Sequence, residues 1–185
     1  MAAALVDGTV TLFIEPIALY HERALFEKGD GKMLDDYSAP EQWADHHIDI
    51  GSARAYLAEN SSDDVLTIVS FGNGVPMSLR VAEKLRLEGV GTRVLDLRWL
   101  NPLPVADIVE HANATGRLLI ADETRKSGGV SESVIAALVD AGFTGEVARV
   151  TSHDSFIPLA EAANLVLLHQ DHIEAAARAL VDAPG

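Results

Sequence analysis

Apolar positions along this chain recur with two different periods, and the switching between them lays out its elements. From Val65 to Phe71 the apolar run is almost unbroken, as in a parallel strand covered on both faces. Gly72-Asn73-Gly74 then turns the chain, and Pro76 brings a preset φ to a first helical turn. Val75, Leu79, Ala82 and Leu85 fall at helical spacing, while Arg80, Glu83 and Arg86 take the opposite side. Gly89 stops this helix, and Arg93 to Leu97 reads as a second strand, closing a right-handed βαβ unit.

The alternation continues downstream. A helix from Pro104 carries Val105, Ile108, Val109 and Ala112 on one face, and Arg117 to Ala121 reads as a buried strand. Gly128-Gly129 opens a helix with Val130, Val134, Ala137, Leu138 and Ala141, which Gly142 stops before a strand from Glu146 to Val150. Pro158 to Ala163 predicts one or two helical turns and Leu165 to Leu168 a short strand. Asp171, with Glu174 three residues on, resembles a capping box for a last helix that buries Ile173, Ala176, Ala177 and Leu180. Repeated β–α units predict an α/β fold, a doubly wound and mostly parallel sheet with helices on both faces.

The first third differs. Val10 to Ile14 predicts a strand with none before it to pair with, followed by a helix from Pro16 to about Phe26. Lys28 to Asp49 is rich in acids and turn formers and longer than ordinary connections, so it reads as an interdomain linker. Ile50, Ala53, Ala55 and Leu57 alternate weakly, which predicts a short strand within Ile48 to Ala58.

Composition narrows the possible partners. The 185 residues suffice for one good core, burying about 70% of the unfolded surface. With 14 Lys and Arg against 28 Asp and Glu, the net charge is −14, and no basic surplus exists to displace counterions from a nucleic-acid backbone. Solubility is the plain account of that charge, and a basic protein partner is compatible with it. Without cysteine there is no disulfide, thiol nucleophile or thiolate metal site, and a cytoplasmic location is expected. Met1 to Leu5 is too short for a membrane span and lacks the basic region of a signal peptide.

In such a sheet, ligands and partners meet the loops beyond the carboxyl ends of the strands. Here these are Gly72–Gly74, Arg98–Asn101, Asp122–Gly129 and Thr151–Ile157, which makes Asp122, Glu123, Arg125, Lys126, His153, Asp154 and Ser155 expected neighbours. Gly72-Asn73-Gly74 with Asp96 has half of a dinucleotide fingerprint, but Met77 stands where the third glycine belongs. Gly29-Asp30-Gly31, with Asn60 further on, has the opening letters of a diphosphate–Mg²⁺ motif but follows a helix end in a polar linker, so it reads as a turn. His46-His47 and His169-x-x-His172 lack a third metal ligand. Ser127, Ser155, His153 and Asp122 offer hydrolase residue types without a Gly-x-Ser-x-Gly elbow. Glu15 reads as a helix-entry acid.

With these pieces placed, a family resemblance covers nearly the whole chain. VTLFIEPIALYHERALFEKGDG resembles the close of the pyrimidine-binding domain of thiamine-dependent 2-oxoacid dehydrogenase E1 β components. From about Ile48 the chain is similar to the transketolase-type C-terminal domain, carried by LTIVSFGNGV, DLRWLNPLP, ADETRKSGGVSE and VARVTSHDSFIPLAEAANLVLL in family order. The resemblance implies three domain regions: 1–27 as a remnant of the preceding domain, 28–47 as linker, and 48–185 as the C-terminal domain. It implies a three-layer α/β/α fold whose sheet has one antiparallel edge strand, from Gly51 to Ala58. It also implies that thiamine diphosphate and Mg belong to domains outside this chain, so that no catalytic, cofactor-binding or metal residue is expected here.

The role implied is assembly with the remainder of the E1 enzyme, a homo-oligomer, and docking of the E2 subunit-binding domain. Asp122, Glu123, Arg125 and Lys126 match a segment bordering that contact. His153, Asp154, Ser155 and Phe156 resemble a loop near an active-site entrance, where Ile157 replaces a glycine frequent in relatives. Two other readings remain open: a free-standing Rossmann-like nucleotide-binding module, and a regulatory protein that recognises an E1 or E2 partner.

Overall fold

The structure is a computed structural model, and it describes residues 8, 10–36, 39, 41–42, 48–57 and 61–183. Five strands form one sheet: β1 (Arg54–Tyr56), β2 (Leu66–Ser70), β3 (Thr92–Asp96), β4 (Arg117–Arg125) and β5 (Glu146–Ser152), in the order β1-β3-β2-β4-β5. All neighbours are parallel except β1 and β3, where Arg54 pairs with Asp96 and Tyr56 with Val94. Four helices complete the layers: α1 (Gly74–Leu87), α2 (Val105–Thr115), α3 (Val130–Asp140) and α4 (Gln170–Val181).

The period of two in the strands decides which helix packs where. Leu66, Ile68, Val94, Leu119 and Ala121 face α1 and α4, meeting Met77, Val81, Leu85, Ile173 and Ala177. Their alternates Val69, Leu95, Leu118 and Ile120 face α2 and α3, meeting Ile108, Ala112, Val134 and Leu138. The result is the expected α/β/α sandwich with one antiparallel edge strand.

The amino ends of the strands are closed by a buried ion pair. Arg93 donates from Nε to Asp64 Oδ2 at 3.0 Å, and its guanidinium also bonds the Ser61 carbonyl. Burial and the Arg93 charge hold His111, whose Nδ1 lies 3.4 Å from Arg93 Nη1, below the ordinary histidine range. On the same end Thr67 Oγ1 donates to the His111 carbonyl at 2.8 Å, tying β2 to α2.

Four expectations need correction. Residues 10–14 pair with no strand among the described residues, and Val10 is 99% exposed. The predicted helix from Pro16 shrinks to a single 3₁₀ turn, Ile17–Leu19. A one-face apolar segment needs a surface to cover, and short helices without one are marginal in water. Leu165–Leu168 is not a strand: a 3₁₀ stretch, Ala160–Leu165, fills the space, and Leu168 N–H bonds the Ser152 hydroxyl at 2.9 Å. Finally, α4 starts two residues earlier than Asp171 implied, with His169 as its cap and Asp171 inside the first turn.

Candidate functional site at the carboxyl edge of the sheet

β2 is flanked by β3 on one side and β4 on the other, so the strand order reverses between β2 and β4. The crevice at that reversal is the default ligand position of a doubly wound sheet. Here the end of β4 fills it with two adjacent carboxylates that turn to opposite layers. Asp122 is fully buried; its Oδ2 accepts the N–H of Ser131 in the first turn of α3 at 2.7 Å. Its Oδ1 accepts from Thr124 N–H at 2.8 Å and Thr124 Oγ1 at 2.6 Å. Glu123 turns the other way, and its Oε1 accepts the N–H of Asn73, immediately before α1, at 3.1 Å.

These acids do for two helices what the local caps do not, because neither Asn73 nor Gly129 supplies a side-chain cap. A carboxylate at a helix start is favoured by the helix dipole and satisfies an otherwise orphaned donor. Close approach explains two glycines. A Cβ on Gly72, whose φ is +54°, would lie 2.2 Å from Glu123 Oε1, and one on Gly129 would lie 2.5 Å from the Arg125 carbonyl oxygen. Burial pushes the Glu123 carboxyl above the ordinary glutamate range; the Asn73 N–H opposes this and the Asp122 charge adds to it.

The half fingerprint Gly72-Asn73-Gly74 is thereby accounted for. The place a nucleotide phosphate would take at the start of α1 holds the chain's own Glu123 carboxylate. Asp96, the expected ribose ligand, turns back on its own loop, accepting Arg98 N–H at 3.1 Å, and burial raises its pKa. The nucleotide-binding reading is corrected on these contacts.

Beyond the twin caps the loop opens to solvent. Arg125, Lys126 and Ser127 are exposed, as are His153, Asp154, Ser155 and Phe156. Asp154 clamps the two loops together: its Oδ1 accepts Ser127 N–H at 2.8 Å and its Oδ2 the Ser127 hydroxyl at 2.6 Å. Those two bonds, with smaller help from the Lys126 N–H and the Arg125 charge, hold its carboxyl below the ordinary aspartate range. Ser152 Oγ donates to the Glu123 carbonyl at 2.8 Å, and His153 N–H bonds the Val166 carbonyl at 2.8 Å. Between these walls lies a shallow depression of about 330 Å³, whose lining includes Glu123, Arg125, His153, Ser155, Ile157 and Leu167. The segment that supplies Ser155 and Ile157 to this depression is itself apolar and uncovered: Phe156 is 97% and Leu159 91% exposed, with Ile157 and Leu165 also open to water.

The structure therefore brings Glu123, Arg125, His153 and Ser155 to one depression and ties Asp154 to Ser127. It buries Asp122 completely, leaving no surface of that side chain for a partner. Ser152 and Arg149 were not singled out in the sequence. Arg149 Nη1 supports the loop from below, donating to the Lys126 carbonyl at 3.0 Å. The role of Ser152 depends on β5 running two residues past the predicted end. No serine here is set up as a nucleophile beside a histidine: Ser127 Oγ donates to Asp154, and Ser155 Oγ to the Phe156 carbonyl.

The other candidates do not fit a cation or a diphosphate. Asp30 accepts four backbone N–H groups, from Leu25, Phe26, Glu27 and Lys32, which draw its pKa well below the ordinary range. Its lone pairs close a turn. His169 Nε2 bonds the Asn164 carbonyl and His172 Nδ1 the His169 N–H, so two of their nitrogens are already engaged. Glu15 accepts the Tyr20 hydroxyl at 2.7 Å on an exposed turn. His46, His47 and Asn60 lie outside the described residues.

Residues 55–173 match the family model described as the transketolase, C-terminal domain. The chain belongs to that family. The pyruvate dehydrogenase E1 component subunit beta of Staphylococcus epidermidis is 30% identical over 141 residues, covering 75% of this chain and 42% of that protein. The same-named subunit of Bacillus subtilis is 27% identical over 184 residues, 97% of this chain and 51% of the relative. The transketolase-type chain thus spans about half, or less, of the length of the curated relatives it matches. A split-gene transketolase, solved as an inactive β4 tetramer, superposes with a TM-score of 0.61 at 27% identity, over 72% of this chain and 42% of that one. A 2-oxoglutarate:ferredoxin oxidoreductase from Magnetococcus marinus shares the fold alone, at 13% identity and a TM-score of 0.53. Among the described residues, no helix is long and apolar enough to cross a membrane.

Proposed function

We propose that this chain is the C-terminal assembly domain of a thiamine diphosphate-dependent 2-oxoacid dehydrogenase E1, β region. Residues 1–27 are the close of the preceding domain, 28–47 the linker, and 48–185 the domain itself. Thiamine diphosphate and Mg belong to the rest of the enzyme, and the oxidative decarboxylation is the whole enzyme's work. This domain contributes a docking face to the remainder of E1 and to a second copy. Arg125 and Lys126, the exposed cations of the β4 loop, border the place where an E2 subunit-binding domain would sit. The loop His153–Phe156 faces the active-site entrance.

The observation that carries this reading is the uncovered apolar rim at the carboxyl edge. Phe156 and Leu159 are nine-tenths or more exposed, beside Ile157 and Leu165. Pro16, from the exposed apolar segment at residues 10–17, reaches the same edge, with its Cγ 3.5 Å from the Cβ position of Gly72. Several large apolar side chains left uncovered within one short segment, 156–165, support an interface there.

Sedimentation velocity over a concentration series is the test. The chain is expected to self-associate, and Phe156→Ser with Leu159→Ser to weaken that association while leaving the unfolding midpoint unchanged at dilutions where both chains are monomeric. A chain that stays monomeric at every concentration, with or without the two serines, would sink the proposal.

A further inference from the structure

Ser127 combines three properties that the assembly role leaves unused. Its hydroxyl is exposed at the tip of the β4 loop, in Thr124-Arg125-Lys126-Ser127-Gly128-Gly129, directly after two cations. Neither Arg125 nor Lys126 has an ion-pair or side-chain hydrogen-bond partner among the described residues. The same hydroxyl and its own N–H hold both oxygens of Asp154, 27 residues away, at 2.6 and 2.8 Å. These two bonds join the β4 loop directly to the segment that carries His153 and Phe156.

A phosphoryl group on that oxygen would bring a charge of about −1.5 to −2 against the Asp154 carboxylate. Two anions cannot share a contact in which one now donates to the other, so the bond must part. The displaced phosphate has cations at hand in Arg125 and Lys126, which suit a phosphate geometrically and electrostatically. Modification would therefore do two things at once: unlock the loops and draw Arg125, whose charge now acts on Asp154, and Lys126 onto the phosphate. Gly128, at φ +70° and with no atom within 4 Å of its Cβ position, leaves the loop tip room to move.

We infer that Ser127 is a phosphorylation site and that the Ser127–Asp154 pair is the latch it opens. The phosphoryl donor is a nucleoside triphosphate, delivered by a protein kinase that selects arginine two residues before serine. Ser127 Oγ attacks the γ-phosphorus, the bond between γ-phosphorus and the β–γ bridging oxygen breaks, the nucleoside diphosphate leaves, and the kinase's base takes the hydroxyl proton. The latch stands on local geometry; its effect on docking rests on the assembly reading above.

The experiment incubates the whole chain with ATP and a purified arginine-directed serine/threonine kinase, with an Arg-x-Ser peptide as control. Mass spectrometry locates the phosphate, and hydrogen exchange reads the loops. The expected result is phosphate on Ser127 and a several-fold rise in exchange at Thr124–Gly129 and His153–Ile157, with α1 and α4 unchanged. Ser127→Ala should take up no phosphate there. Asp154→Asn keeps an acceptor without the charge, so it should be labelled equally but show a much smaller rise. Failure to label Ser127 while the control peptide is labelled would overturn the inference. So would unchanged exchange in the labelled chain, or an equal rise in Asp154→Asn. If exchange rises while sedimentation of the labelled chain is unaltered, the latch holds and the link to assembly fails.

Discussion

At the scale of single residues, the dipeptide Asp122-Glu123 carries the most structure per atom. Removing a buried acceptor leaves its donors unpaired at about 1–3 kcal/mol each, and Asp122 serves three of them. Glu123 is a different case, because burial disfavours its charge more than the Asn73 N–H favours it. An acid whose folded pKa is raised is best tolerated when protonated. Its contribution is most favourable below the unfolded pKa and is lost as pH rises through the folded one. Glu123→Gln keeps an oxygen for the Asn73 N–H and discards the charge. The variant is therefore expected to unfold at higher urea than the parent at neutral pH, with the gap closing as pH falls to the ordinary carboxylate range near about 4. Urea midpoints taken across that range check it, and a less stable variant at neutral pH would mean the helix start outweighs burial.

At the scale of elements, α4 separates two kinds of stabilisation. On its outer side Arg178 reaches across to α1, bonding both oxygens of Glu88 at 2.6 and 2.9 Å and Glu174 on its own helix at 2.9 Å. Arg178 and Glu88 stand largely in solvent, so screening leaves this network only a small share of the stability. On the inner side Ile173 has no solvent exposure and packs into the core with Val81 and Leu85. Truncating such a residue costs about 2–5 kcal/mol. Arg178→Ala is thus expected to lower stability slightly, and less so at high salt, while Ile173→Ala lowers it severely at any salt. Equal losses in denaturant titrations would contradict that division.

α4 was legible in the sequence because Ile173, Ala177 and Leu180 keep helical spacing, and β2 was legible because its apolar run admits nothing else. Residues 10–14 misled for a physical reason. Val-Thr-Leu-Phe-Ile favours a strand, but a strand exists only with a hydrogen-bonded neighbour, and no sequence states whether one is present. The candidate site was half legible. The topology placed Asp122, Glu123, Arg125, His153 and Asp154 at one edge before any contact was known. That Asp122 points inward, that Glu123 fills the switch point, and that Ser127 and not a cation meets Asp154 depend on side-chain directions at a β-bulge between Asp122 and Arg125. Periodicity carries no information there.

At the scale of the whole molecule, two features pull association in opposite directions. Each copy carries a net charge of −14, so two copies repel over any distance that salt does not screen. The carboxyl edge is apolar, with Phe156, Ile157, Leu159 and Leu165 uncovered, and burying it is favourable at any ionic strength. Raising salt from about 0.01 to 0.1 M shortens the screening length from about 30 to 10 Å, which removes much of the repulsion and leaves the apolar term intact. Self-association of this chain is therefore expected to strengthen with salt. If Arg125 and Lys126 instead drive it by pairing with acids of the second copy, the same salt weakens it. Sedimentation equilibrium at the two ionic strengths decides between them, and a dimer that loosens as salt rises would move the interface from the apolar rim to the β4 loop.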